Sequence, residues 1–323
     1  LLPRHASDRS GWVTDIYGAF TALEIPPTRQ NVCAVVAVTE QESGFQVDPV
    51  VPGLAADAWR EIDKRAERVD IPPSVLHEVL KLDSPNGRTY ADRIDHARTE
   101  KELSDIFEDF TGSIPFGRSM FASLNPIRTR GPMQVNVVFA EEFSAAHHYP
   151  YPVKVSVPEE LFTRRGSVYF GTAHLLAYSP PYDSYLYRFA DFNAGQFASR
   201  NAAFQLALSA ATGKRLVADG ALLPHDPGAA PGDTELAARS LEARLGMGDA
   251  EIHAALQEGK HKEFERTRLY TSTFTLAERA ARSPPPRAAI PRIKLEGPKL
   301  TRTLSTEWYA HRVDGRFQEC LAR

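Results

Sequence analysis

The chain has 323 residues, 42% hydrophobic and 24% charged, with a formal net charge of −3 at pH 7. That length allows about two domains, or one large domain with insertions, and buries enough surface to fold without a metal. The charge balance excludes a generally nucleic-acid-binding chain, no apolar run reaches the ~18 residues of a membrane span, and no internal repeat is present.

Residues 1–9 lack the basic start and apolar core of a secretory signal. The first strong element follows Pro26-Pro27. Thr28 is placed to cap a helix through Cys33, Val35, Val36 and Val38 to about Glu42. Apolar residues cover most of its circumference, so it is expected to be buried, and Ser43-Gly44 supplies the stop. Residues 54–69 form an amphipathic pattern with Trp59, Ile62, Ala66 and Val69 on one face. Pro72-Pro73 break it, and a short helix through Leu76, Val79 and Leu80 follows. Thr99 with Glu102 is a capping box for a helix through Leu103, Ile106 and Phe110.

Gly131-Pro132 is read as opening a helix from Met133 to about Ala146. A Pro-rich joint over 149–158 follows, and Ser156 with Glu159 is a second capping box. Helices are expected near 167–178, 183–192 and 199–211. A Gly/Pro-rich exposed loop spans 213–233. Further helices fit 234–245, 249–257 and 262–281. After Ser283-Pro284-Pro285-Pro286, the tail 287–323 combines an extended stretch with a helix near 305–312. Strand-like alternation is scarce, so the fold class is mainly α. The 24 prolines, against a usual ~5%, fit helices joined by Pro-rich connections.

Common catalytic signatures are absent: no Gly-x-Ser-x-Gly elbow, phosphate loop or His-Glu-x-x-His. His147-His148, His225, His253 and His261 lack metal-ligand spacing, so neither a metal nor a cofactor is expected. Cys33 and Cys320 are two buried thiols or one bridge. Thr39-Glu40-Gln41-Glu42-Ser43-Gly44-Phe45 stands out. A carboxyl at the end of an apolar helix has its charged form disfavoured, which suits a general acid near neutral pH. The plainer reading is a solvated helix end. Glu40 points about 160° away from Glu42 around the helix, and it and Asp57 are weaker candidates.

Four segments occur in order: Glu42-Ser43-Gly44-Phe45; Gly131-Pro132-Met133-Gln134; Phe192-Asn193-Ala194-Gly195; and Glu265-Arg266-Thr267-Arg268-Leu269-Tyr270. Together they resemble the soluble lytic transglycosylases of goose-type-lysozyme-like fold. They are most similar to an uncharacterised bacterial envelope lipoprotein subfamily (DUF1615-like). Pro132 and Phe192 depart from that pattern, where Leu and Tyr are usual. The last motif has one extra residue after its Glu.

The resemblance implies a lysozyme-like helical domain over 28–281. Insertions fall near 53–128 and 214–258, residues 1–27 form an N-terminal segment, and 282–323 form an extension packing on the domain. It implies cleavage of the bond between N-acetylmuramic acid and N-acetylglucosamine, with formation of a 1,6-anhydro sugar. Glu42 is then the single acid/base, Ser43 its orienting neighbour, and Tyr270 places a hydroxyl near it. Met133, Gln134, Phe192, Asn193, Ala194 and Gly195 line the glycan groove. Asp191 is the candidate second carboxylate for a hydrolase of the same fold, which would need a pair. A third reading is a peptidoglycan-binding or scaffold protein without turnover. The implied partner is peptidoglycan, not nucleic acid. The implied location is the periplasm, with a lipid anchor upstream of the chain. An oxidising envelope would favour a Cys33–Cys320 bridge.

Overall fold

A computed structural model describes residues 1–113, 125–224, 226, 228–295 and 304–323. His225 and part of the expected insertion lie outside the described residues. Helices dominate, and the strands form two short two-stranded antiparallel ladders. The chain divides into two compact units, Leu1–Thr172 and Ala173–Arg323, a division that falls inside the expected span 28–281.

In the first unit a helix at Arg9–Ala22, absent from the sequence reading, is capped by Asp8 accepting from the Gly11 amide at 3.2 Å. Its inner face buries Trp12, Ile16, Ala19 and Phe20. Apolar residues also occupy the outer face, which blurs the period that marks an amphipathic helix. The next helix, Arg29–Ser43, begins at the Thr28 cap and buries every residue from Cys33 to Thr39. Gly44 closes it in the left-handed region (φ 58°), its amide donating to the Glu40 carbonyl at 3.2 Å. Phe45 is also left-handed (φ 65°), a strained state for a bulky residue. It is buried with its ring edge-on to Trp12 at 5.0 Å, which fixes the turn.

Helices Leu54–Arg68, Pro73–Val79, Tyr90–His96 and Glu100–Ser113 share a hydrophobic core of their own. The Thr99–Glu102 capping box is reciprocal, both amide-to-side-chain bonds being 3.2 Å.

Gly131-Pro132-Met133-Gln134 does not open a helix. It is the turn of a β-hairpin in which Thr129–Arg130 pairs with Val135–Asn136. The helix starts only at Val137, where the Asn136 side chain accepts from the Val138 and Phe139 amides. The left-handed backbone at Gly131 (φ 72°) and Gln134 (φ 51°) forbids the expected helical start. The turn sits on the Arg164–Leu176 helix. The Met133 amide donates to Ser167 Oγ at 2.9 Å, and a Cβ on Gly171 would meet Met133 Sδ at 2.5 Å. A Cβ on Gly131 would fall 1.9 Å from the Leu161 carbonyl oxygen.

The second unit is built around Ala198–Thr212, packed on Arg268–Ala281. Its core includes Phe204, Phe264, Tyr270 and Phe274. Arg200, fully buried, lies between the rings of Phe197 (4.6 Å) and Phe264 (5.2 Å). It donates to the carbonyls of Gly259 (2.8 Å) and His261 (3.0 Å). The helix expected over 234–245 is two pieces, Asp233–Arg239 and Glu242–Leu245. That expected over 262–281 is a 3-10 turn, Lys262–Arg266, followed by Arg268–Ala281. Thr267 Oγ1 accepts the Tyr270 amide and restarts the helix. The loop after Thr212 is only partly exposed: Ala218 and Leu222 are buried, and Gln205 holds the Gly220 amide and the Ala221 carbonyl. The final helix, Thr306–Ala322, is longer than expected and packs Phe317 on Tyr185 and Phe189.

Both cysteines are disulfide-bonded and no free thiol remains. A thiol reagent is expected to titrate none in the denatured, unreduced protein and two after reduction. Gly131→Ala is expected to lower the unfolding free energy by roughly 2–4 kcal/mol, combining left-handed strain with a backbone collision. Gly44→Ala, with open space around it, should lose only about 1–2 kcal/mol. Urea denaturation of the two variants checks the difference.

Candidate active site

Glu42 sits in the last turn of Arg29–Ser43 and is half-buried. The fully buried helix behind it fixes its backbone, and the Gly44-Phe45 turn leads the chain away at once. Ser43 Oγ donates back to the Thr39 carbonyl at 3.2 Å, the bond of a hydroxyl that closes a helix end. Gln41, which the sequence did not single out, has its side-chain oxygen buried and without a hydrogen-bond partner among the described residues. An unsatisfied buried acceptor costs about 1–3 kcal/mol, so this oxygen is a standing demand for a donor next to Glu42 in sequence.

Met133 is fully enclosed, its thioether against Gly171, so it supports the hairpin from beneath. Gln134 is held at both ends of its amide. Oε1 accepts from Thr129 Oγ1 at 2.8 Å, and Nε2 donates to Glu100 at 2.8 Å and to the Gly131 carbonyl at 3.3 Å. Nearby in the same unit is a carboxyl that sequence reasoning treated only as part of a capping box. Burial, reinforced by repulsion from Glu108, pushes Glu159 up to about 7, although Arg130 donates to it at 3.1 Å. The cap signal was legible, but not the acidic neighbours gathered from Glu100–Ser113.

In the second unit, Asp191 is buried. Its two oxygens accept from the Ser199 amide (2.5 Å) and from the Tyr182 hydroxyl. It therefore bonds the first turn of Ala198–Thr212 from the end of Tyr185–Ala194. Burial pushes its carboxyl up to about 7, outweighing the hydrogen bonds that favour the charged form. Asn193 Oδ1 accepts from Thr306 Oγ1 at 2.9 Å. Phe192 is buried, its ring edge-on to His174 at 5.0 Å, and desolvation lowers that imidazole to about 4, so it is neutral at physiological pH. Ala194 is half-buried. Gly195 is exposed at φ 119°, a conformation essentially restricted to glycine.

Tyr270 is buried, stacked on Phe204 and edge-on to Phe264. Its hydroxyl is buried, with Arg287 beside it, and Thr273 Oγ1 has no hydrogen-bond partner among the described residues. Burial raises its pKa, and the neighbouring Arg287 offsets part of that rise.

The expected residues thus fall in two groups. Glu42, Ser43, Met133 and Gln134 belong to the first unit, and Asp191, Phe192, Asn193, Ala194, Gly195 and Tyr270 to the second. Among the described residues no group of three His, Cys, Asp or Glu side chains is arranged to hold a metal ion. No helix among them is long and apolar enough to cross a membrane.

Residues 5–323 match a family described as "Protein of unknown function (DUF1615)". The chain is 49% identical over 320 residues to the uncharacterized protein YaiW of Escherichia coli (strain K12). That alignment covers 99% of this chain and 87% of the relative. No solved structure matches it.

A carboxyl raised from 3.8 to about 7 keeps its proton more readily in the folded state. The stability it contributes is complete below about pH 4 and is lost as the pH rises through about 7. Carboxyl NMR is expected to place the Asp191 midpoint near 7, and Asp191→Asn to remove this component from the pH dependence of urea unfolding.

Proposed function

The chain belongs to the DUF1615 family, and for it we propose a peptidoglycan lytic transglycosylase activity with Glu42 as the single acid/base. One observation carries this reading. Glu42 is a half-buried carboxyl at the end of a helix enclosed for seven consecutive residues, and a left-handed break follows it directly. The buried helix fixes the backbone behind this carboxyl, and its partial desolvation favours the protonated form that a general acid uses.

Glu42 would protonate the glycosidic oxygen as the bond to the muramoyl anomeric carbon breaks. It would then accept the proton of the muramoyl 6-hydroxyl as that oxygen closes onto the same carbon. The product is a 1,6-anhydro sugar, no water is consumed, and Glu42 ends protonated as it began.

The location follows from the same reading. Persistent disulfides belong to oxidising compartments, and both cysteines are in that state, which supports an envelope protein exposed to the periplasm. A lipid anchor upstream of Leu1 belongs to this proposal.

A second reading, a peptidoglycan-binding protein without turnover, is supported by a different observation. Met133 is enclosed, and the polar ends of Gln134 and the Asn193 carbonyl are already engaged by Thr129, Glu100 and Thr306. A hydrolase using Asp191 as base has less support, because both of its oxygens hold neighbouring groups.

Digestion of purified sacculi by the wild type and by Glu42→Gln separates these readings. The wild type is expected to release 1,6-anhydro-muropeptides. The variant should lose activity by about 100-fold or more while keeping the wild-type melting temperature. Reducing-end products would assign a hydrolase. Sedimentation with sacculi without any product would assign the binding protein, and equal turnover by the variant would overturn Glu42.

A further inference from the structure

The first unit holds a groove of about 650 Å³, away from every residue assigned above except through the helix that carries Glu42. Val13, Ile16, Tyr17 and Phe20 of Arg9–Ala22 form one wall, and Val32 and Val36 of Arg29–Ser43 form part of the other. The size lies within the ordinary range for a small-molecule site. Val13 is 56% exposed and Tyr17 65% exposed, so Arg9–Ala22 turns apolar groups outward as well as inward.

The polar groups on the lining are largely committed to the protein itself. Thr14 Oγ1 donates to the Ser10 carbonyl at 3.0 Å, and Ser10 Oγ donates to Asp8 at 3.3 Å. Arg9 is the charged side chain on the lining, and it donates through one nitrogen to the Pro3 carbonyl. A guanidinium has five N–H donors, so Arg9 keeps donors for an anion at the groove. A sugar or peptide would leave its hydroxyls or amides unsatisfied against these walls.

We propose that this groove binds one fatty-acyl chain as a free fatty acid, its hydrocarbon on Val13, Ile16, Tyr17, Phe20, Val32 and Val36 and its carboxylate at Arg9. Burying the chain removes apolar surface from water, and the guanidinium pairs with the one charged group it carries. The proposal does not rest on the peptidoglycan reading.

Titration of the whole protein with laurate, read by displacement of cis-parinaric acid, tests it. Saturable binding of one laurate per chain is expected. Val13→Glu places a charge on the wall at an exposed position and should weaken binding at least ten-fold, with an unchanged circular dichroism spectrum. Arg9→Gln should weaken laurate several-fold and leave dodecanol unaffected. Absence of saturable binding, or equal binding by Val13→Glu, overturns the proposal. So would self-association relieved by Val13→Glu without laurate binding, which would assign the face to a second copy. Binding confined to phospholipid vesicles would assign it to a membrane surface and overturn it equally.

Discussion

Seven successive residues, Cys33 to Thr39, are shut off from solvent, and much of the first unit follows from that enclosure. A helix buried on every side has no polar face, so its backbone polarity must be satisfied internally and its chemistry is confined to its ends. The N-terminal end is closed by Thr28. At the other end, Glu40, Gln41, Glu42 and Ser43 emerge together as the helix reaches partial exposure. The left-handed pair Gly44 and Phe45 then removes the chain abruptly, and Trp12 holds Phe45 in place. The backbone that carries Glu42 is therefore positioned by packing more than a turn away.

The Gln134 hairpin is placed by the same kind of constraint. Gly131 and Gly171 admit the turn to the surface of Arg164–Leu176 because neither has a side chain in the way. Met133 fills the resulting contact. The cost is that Gln134 must adopt a left-handed backbone, and its amide is anchored by Thr129 and Glu100. The hairpin is thus well ordered but leaves few unsatisfied groups of its own. In the second unit, Asp191 bonds a helix start and Asn193 receives the hydroxyl at the start of the last helix. Both of these candidate residues serve the fold at least as directly as they would serve a ligand.

Capping chemistry was the most legible part of the fold. Thr28, Thr99 and Ser156 each cap the helix expected of them, because a cap is a local event written in three or four neighbouring residues. The Arg9–Ala22 helix was illegible for the opposite reason: apolar residues on both faces erase the period that would mark it. The helix expected from Met133 failed on backbone angles at Gly131 and Gln134, which depend on a close approach to Leu161 and Ser167. The acidic surroundings of Glu159 and the engagement of Asp191 by Tyr182 come from side chains distant in sequence, so no local pattern announced them. The helix end that carries Glu42, by contrast, was legible in the apolar run before it and the glycine after it, both of which are local, whereas the role given to Glu42 came from the resemblance alone.

Arg200 has a consequence for the order in which the chain can mature. Besides Asn201 beside it, its hydrogen-bond acceptors are Gly259, His261 and Glu265, roughly sixty residues further along. Until that stretch has been synthesised, Ala198–Thr212 cannot bury its inner face without also burying a cation that lacks most of its partners. The second unit is therefore held back from early closure by one guanidinium. Completion of that core requires the chain at least as far as Glu265.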